Sequence, residues 1–231
     1  MKKFISKFVL SLVLSAATSG WAAVINFTGG SGSFSAGASP GAAIPDFPGA
    51  GLAYGLNFNF AEFTSIQSVS VTLNISGGYN GDLYVFLSHG SGFAVLLNRV
   101  GANAPGEDGY SAAGFNNITL AMTGTDIHTV AAPITGNTYA SDGRADYTSN
   151  TRNNTLNVLS GANPNGEWTL FFGDEAGLNT STLDSWSVDI QAVPEPTTWA
   201  GILFGALFGG VQVVRRWRAA RRSPAMLTNV P

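Results

Sequence analysis

The 231-residue sequence contains no cysteine. A disulfide framework and thiolate chemistry are both excluded, so stability must come from packing or from a bound metal. Positive charge is the second shortage. All three lysines, Lys2, Lys3 and Lys7, fall in the first seven residues, and five of the eight arginines fall between Arg215 and Arg222. Between Ala23 and Val193 only Arg99, Arg144 and Arg152 stand against thirteen acids, a net charge near −10. A body of that sign repels polyphosphate and argues against nucleic acid as a partner. It suits calcium, whose hard ion prefers carboxylate and carbonyl oxygens. Convincing helical periodicity is also missing before Trp199, while the 29 glycines, with many Asn, Ser and Thr, point to short strands and tight turns.

What is present begins at the two ends. Lys2, Lys3 and Lys7 frame the start of an apolar stretch over residues 8–17, and Gly20 and Ala22 place small residues before Ala23. This order predicts a secretory signal peptide over residues 1–22. At the other end, Pro194-Glu195-Pro196 is followed by a charge-free apolar run over residues 199–214 and then by Arg215, Arg216, Arg218, Arg221 and Arg222. The run predicts a transmembrane helix, with the arginines held on the cytoplasmic side and everything before Pro194 outside.

A Pro-Glu-Pro motif, an apolar segment and an arginine cluster in this order resemble the PEP-CTERM sorting signal of bacteria with an outer membrane. The resemblance rests on Pro194, Glu195 and Pro196, on residues 199–214, and on Arg215, Arg216 and Arg218. It implies that, after signal peptidase, a membrane transpeptidase-like enzyme called exosortase cuts near the motif. The product would be released towards the cell surface and its exopolysaccharide. The tail over residues 223–231 runs further past the arginines than is usual in that family. The competing reading, a plain stop-transfer anchor, meets a difficulty of length: 16 residues against the roughly 20 that cross hydrocarbon without thinning the bilayer.

The body between these ends alternates. Residues 23–51 are rich in Gly, Ala and Pro and read as a loose leader with one edge strand at Val24-Ile25-Asn26-Phe27. Apolar and polar residues then interleave at Leu56, Phe58 and Phe60, and at Val69, Val71, Leu73 and Ile75. The same period recurs at Ile118, Leu120 and Met122, at Trp168, Leu170 and Phe172, and at Trp186, Val188 and Ile190. A period of two marks strands with one buried face. Residues 83–87 and 94–97 are continuously apolar, as strands covered on both faces would be. Glycine turns at residues 77–81 and 89–92 connect them. The expectation is an all-β chain, a jelly-roll-like β-sandwich over residues 52–192, followed by a sorting segment over residues 193–222 and a tail.

Within that body, Asn74-Ile75-Ser76 leads into Gly81-Asp82-Leu83 and then Leu96-Leu97-Asn98-Arg99. Gly136-Asn137-Thr138-Tyr139 precedes Asp142-Gly143. Asn163-Pro164-Asn165-Gly166-Glu167-Trp168-Thr169-Leu170 precedes Asp174 and Thr182-Leu183-Asp184-Ser185-Trp186-Ser187-Val188. These motifs, in this order, resemble the P domain of subtilisin-like proprotein convertases from about Leu56 to Ile190. The resemblance implies a jelly-roll sandwich that accompanies a protease, although these 231 residues have neither the length nor the motifs of the protease itself. The chain departs from the family at Phe115-Asn116-Asn117, where an Asp-Asp pair is common.

Candidate chemistry is sparse. Of the two histidines, His89 sits in a glycine turn and is expected at the surface, and His128 follows Asp126, where a proton relay would still lack a nucleophile. Glu107-Asp108 and Asp174-Glu175 are paired acids of the kind glycoside hydrolysis uses when they face each other across a cleft. Loop carboxylates could instead gather calcium, the candidates being Asp82, Asp174 and Glu175, with Asp108 and Asp184 behind them. Trp168 and Trp186 read as core, and Tyr79, Tyr84 and Tyr110 as the better-placed carbohydrate platforms. The function expected is a non-enzymatic exported surface or matrix protein. The alternatives are a calcium-dependent module binding polysaccharide or a protease, and a hydrolase built on loop carboxylates.

Overall fold

The computed structural model describes residues 11–14, 23–28, 31–59, 63–90 and 92–194, with Phe208, Gln212 and Arg215. The chain divides into two compact units, Met1–Val193 and Pro194–Pro231. In the second, Phe208, Gln212 and Arg215 are helical and exposed. Among the described residues no helix is long and apolar enough to cross a membrane, and the rest of the expected span over residues 199–214 lies outside them. Most of the expected signal peptide also lies outside them.

The described residues of the first unit are all β apart from short 3-10 turns and loops. Its strands are β1 (Ser11–Leu14), β2 (Ala23–Thr28), β3 (Ser31–Ala38), β4 (Ala42–Ala43), β5 (Leu52–Phe58), β6 (Phe63–Gly77), β7 (Leu83–His89), β8 (Gly92–Asn98), β9 (Phe115–Ala121), β10 (Thr125–Asp126), β11 (Thr138–Ala140), β12 (Gly166–Asp174) and β13 (Ser181–Pro194). One sheet runs β1-β2-β3-β13-β6-β9-β11-β10, with β4 also on β13. The other runs β5-β12-β7-β8.

The alternation places one face of each sheet in a shared core. Leu83, Val85 and Leu87 of β7 and Trp168, Leu170 and Phe172 of β12 meet Val69, Val71 and Leu73 of β6 and Trp186, Val188 and Ile190 of β13. All are at most 3% exposed, the burial pattern of a two-sheet sandwich. Trp168 and Trp186 are core residues, as their alternation predicts, while Phe60 lies outside the described residues.

Two differences from the expected organisation are informative. Residues 23–51, expected as a loose leader with one strand at 24–27, carry β2 there but also β3 and β4, and β3 pairs with β13 from Trp186↔Ala38 to Ala192↔Gly32. Ile44 beyond it is fully buried. Small residues hide such a strand from a hydrophobic pattern, because its ladder is held by backbone bonds. Residues 83–87, expected to be covered on both faces, instead alternate. Tyr84 and Phe86 turn outward and are only half-buried, and Phe86 lies between Phe171, stacked at 4.8 Å, and Phe93, tilted at 4.8 Å.

Candidate functional site

The polar interior converges on Asp142, which is completely buried just after β11. One carboxylate oxygen, Oδ1, accepts from the backbone N–H and the Nε of Arg144 at 3.2 and 2.9 Å. The other, Oδ2, accepts from the backbone N–H of Asn98 at 3.1 Å and from His128 Nε2 at 2.5 Å. Four donors saturate the carboxylate. His128 Nδ1 accepts from the Gly101 N–H at 3.0 Å, so the network assigns the ring a single proton, on Nε2.

A second ring of contacts encloses this cluster. Arg152 donates from Nε to the Asp142 carbonyl at 2.6 Å and from Nη2 to the Ser141 carbonyl at 3.0 Å, and its Nη1 pairs with Asp126. Asn98 Nδ2 donates to the Arg144 carbonyl at 2.8 Å. Burial works to raise the Asp142 carboxyl, but the His128 hydrogen bond and the Arg144 guanidinium outweigh it and hold the group below the usual carboxylate range.

Ser141, His128 and Asp142 are the residue types of a hydrolytic triad, yet their geometry opposes that use. The Ser141 Oγ accepts from the Leu156 amide at 2.8 Å. The His128 nitrogen that would act as base already takes the Gly101 proton donor. His128 does not relay through Asp126 either: Asp126 Oδ1 caps the His128 backbone N–H at 3.0 Å, while the ring turns to Asp142.

A second cluster lies where β7 begins and β12 ends. Asp174 is in register with Leu83, and the Glu175 N–H donates to the Asp82 carbonyl at 2.7 Å, so Asp82 and Asp174 share one rim. Both are 4% exposed. Asp174 accepts from the Ser181 hydroxyl at 3.3 Å. Burial, then the neighbouring Asp174, push the Asp82 carboxyl up to about 6. Asp174 is raised as well, first by burial. Asp46, which the sequence reading did not single out, adds to both shifts.

The other calcium candidates stand apart. Asp108 has a side chain 99% exposed, 3.9 Å from Arg99 Nη2. Its backbone is nevertheless close, because Gly81 has no side chain to meet the Asp108 carbonyl, which would lie 2.0 Å from a Cβ there. Asp184 accepts from Ser76 at 3.0 Å, and Glu175 is exposed. Among the described residues no group of three or more Asp, Glu or His side chains is placed to hold a metal ion. The five predicted ligands therefore do not form one centre. Of the sorting residues, Pro194 ends β13 and Arg215 is exposed, while Glu195, Pro196, Arg216 and Arg218 lie outside the described residues.

With this geometry in place, the comparisons are decisive at the level of family. The model of the proprotein convertase P-domain matches residues 66–190, more than half of the chain. The chain belongs to the proprotein convertase P-domain family. Crystal structures of the Aeromonas sobria serine protease, with its chaperone ORF2 and alone, are similar at 16% and 15% identity with TM-scores of 0.38 and 0.37. These matches cover 80% and 79% of this chain but only 28% and 27% of the protease chains, so the chain spans less than a third of their length. Comparison with curated proteins gives no match.

The P-domain match contains both clusters, and three features of it escaped the sequence. His89 is not at the surface: it is 7% exposed and stacks on Trp168 with ring centroids 4.1 Å apart. Asp142 stood in a family motif, but its role as a polar centre did not show, since two of its partners come from residues 98 and 128. Phe86, Phe93 and Phe171 stand beside Tyr84 on an outward face, while Tyr79, 39% exposed, lies apart from them. Tyr110 packs in a turn, donating to the His128 carbonyl at 3.1 Å. The sequence did carry a trace of this face, because Tyr84 and Phe86 run out of phase with Leu83, Val85 and Leu87.

Two predictions follow the two clusters. Asp142→Asn leaves Arg144 buried without its counter-charge and is expected to lower stability by about 3–5 kcal/mol in urea unfolding. A loss below about 1 kcal/mol would show that the cluster is not structural. For Asp82 the sign is opposite, because the folded chain holds that proton more tightly than the unfolded one. In chelator, stability should fall as pH rises from about 4 to about 6 and stay lower above that. Asp82→Asn is then expected to melt higher than the parent at pH 7.5, with the advantage vanishing by pH 4. A pH-independent difference would contradict this.

Proposed function

We propose that this protein is an exported, non-enzymatic P-domain module of jelly-roll type that packs or binds at the cell surface or in the extracellular matrix. The observation that carries the non-enzymatic part is the state of Asp142. The place where Asp, His and Arg converge is sealed from solvent and its carboxylate is saturated, so it offers no group to a substrate. Of the paired acids, Glu107 accepts through Oε2 from the Asn103 and Ala104 amides at 2.6 and 3.2 Å, which ties it to its own loop.

Export rests on the terminal sequences. Signal peptidase removes residues 1–22, the segment over residues 199–214 holds the intermediate in the membrane, and exosortase cuts near Pro194-Glu195-Pro196, after which the domain associates with exopolysaccharide. The test is mass analysis of the cell-surface form beside the precursor. The expected product starts at Ala23 and lacks Trp217. A surface form that retains Trp217 would make the segment a permanent anchor and defeat the sorting reading.

A second reading, a calcium-dependent module binding polysaccharide or a partner protease, is favoured by two observations. Tyr84, Phe86, Phe93 and Phe171 form an outward aromatic cluster, and the Asp82–Asp174 rim concentrates negative charge with little solvent. A cation there would draw on these two carboxylates and on backbone oxygens. Calcium is then expected to raise the melting midpoint of the parent and to leave that of Asp82→Asn unmoved. A parent midpoint indifferent to calcium and chelator would remove the metal from this reading.

A further inference from the structure

We infer that His89 is a proton-operated clamp, a doubly protonated imidazole that holds the turn over residues 163–167 onto the end of β7. The inference comes from counting donors. His89 Nδ1 lies 2.9 Å from the Glu167 carbonyl oxygen, and Nε2 lies 2.6 Å from the Asn163 carbonyl oxygen. Both partners can only accept. A neutral imidazole has one N–H and one lone pair, so either neutral tautomer would set a lone pair against a carbonyl oxygen at hydrogen-bond distance. Only the ring carrying two protons satisfies both contacts.

The surroundings favour that form. The ring lies parallel to the Trp168 indole, 7° between planes and 4.1 Å between centroids, where a cation meets the negative face of the aromatic system. Trp168 is paired with His89 in the β7–β12 register, and its Nε1–H donates to the Pro164 carbonyl at 2.9 Å. The same turn is thus gripped at Asn163, Pro164 and Glu167 by two stacked rings. His128 supplies the internal contrast: one of its nitrogens receives an N–H, so that ring needs one proton only.

A proton has a route to the clamp and few competitors. A cavity of about 460 Å³, lined by Ser88, His89, Gly90, Asn165, Gly166, Glu167 and Thr169, opens beside the ring. Of the elements packed around it, β8 and residues 163–165 bring no titratable side chain. β7 adds only Tyr84 at its far end, and β12 adds Glu167 in the same cavity and Asp174 at its far end. Loss of one ring proton turns a bond of the clamp into a repulsion, so the turn loosens and the cavity widens as the medium becomes alkaline.

The test uses the full chain labelled with ¹⁵N at histidine. The ring nitrogens of His89 are followed by NMR across pH, with amide protection factors at Asn165, Gly166 and Glu167 corrected for intrinsic exchange. The clamp predicts two protonated nitrogens while the turn is closed. Protection should then fall roughly tenfold, the equivalent of one hydrogen bond, with the midpoint of the ring's own titration. His89→Gln keeps one amide group for these carbonyls and is expected to show protection that does not change through that range. A closed turn around a singly protonated ring, protection flat through the titration, or parental pH dependence in His89→Gln would each overturn the clamp.

Discussion

One buried carboxylate ties together parts of the chain that the two sheets alone would leave independent. Asp142 collects its donors from the end of β8 at Asn98, from the 3-10 turn at His128 and from Arg144, while Arg152 grips its backbone. A charge with no solvent exposure is tolerated only when every lone pair is used. Here each is used, so the segments that supply the donors are fixed to one another. The same saturation that makes the cluster structural makes it unreactive. A base needs a free lone pair and a nucleophile needs a neighbour to take its proton, and neither remains.

Charge elsewhere in the P domain is handled differently, and the differences map onto exposure. At the Asp82–Asp174 rim two carboxylates share a nearly dry site in which Arg99 is the one cation among the described residues that lowers Asp82, and both carboxyls rise. At Asp146 the carboxylate is in water and is held low by the backbone and hydroxyl of Thr148. Asp142 has the deepest burial and the lowest tolerance of a missing partner. The two histidines divide in the same way: one nitrogen of His128 accepts an incoming N–H, while both nitrogens of His89 face carbonyls.

The fold was legible wherever one sheet face enters the core. Val69, Val71, Leu73 and Ile75 alternate in sequence and are all at most 3% exposed, and the same holds for Trp168, Leu170 and Phe172. The P-domain motifs added the order of the strands' neighbourhoods. β3 was not legible, because Ser, Gly and Ala over residues 31–38 pair through backbone and carry no hydrophobic period. Long-range polar contacts were not legible either. Nothing around Asp142 in the sequence announces Asn98 or His128, and the glycines around His89 suggested solvent where the chain places Trp168. Asp82 and Asp174 were correctly set at one rim because their strand-end positions follow from the alternation. Asp108 and Asp184 were not, since side-chain direction in a loop has no period.

The Asp142 cluster opens only when the domain does. Native-state hydrogen exchange reads this directly at the amides of Asn98, Gly101 and Arg144, each of which donates into the cluster. The account predicts that all three exchange with the free energy of global unfolding, as core amides do. Exchange through a local opening several kcal/mol cheaper than global unfolding would contradict it, and would show a cluster accessible enough to act on something else.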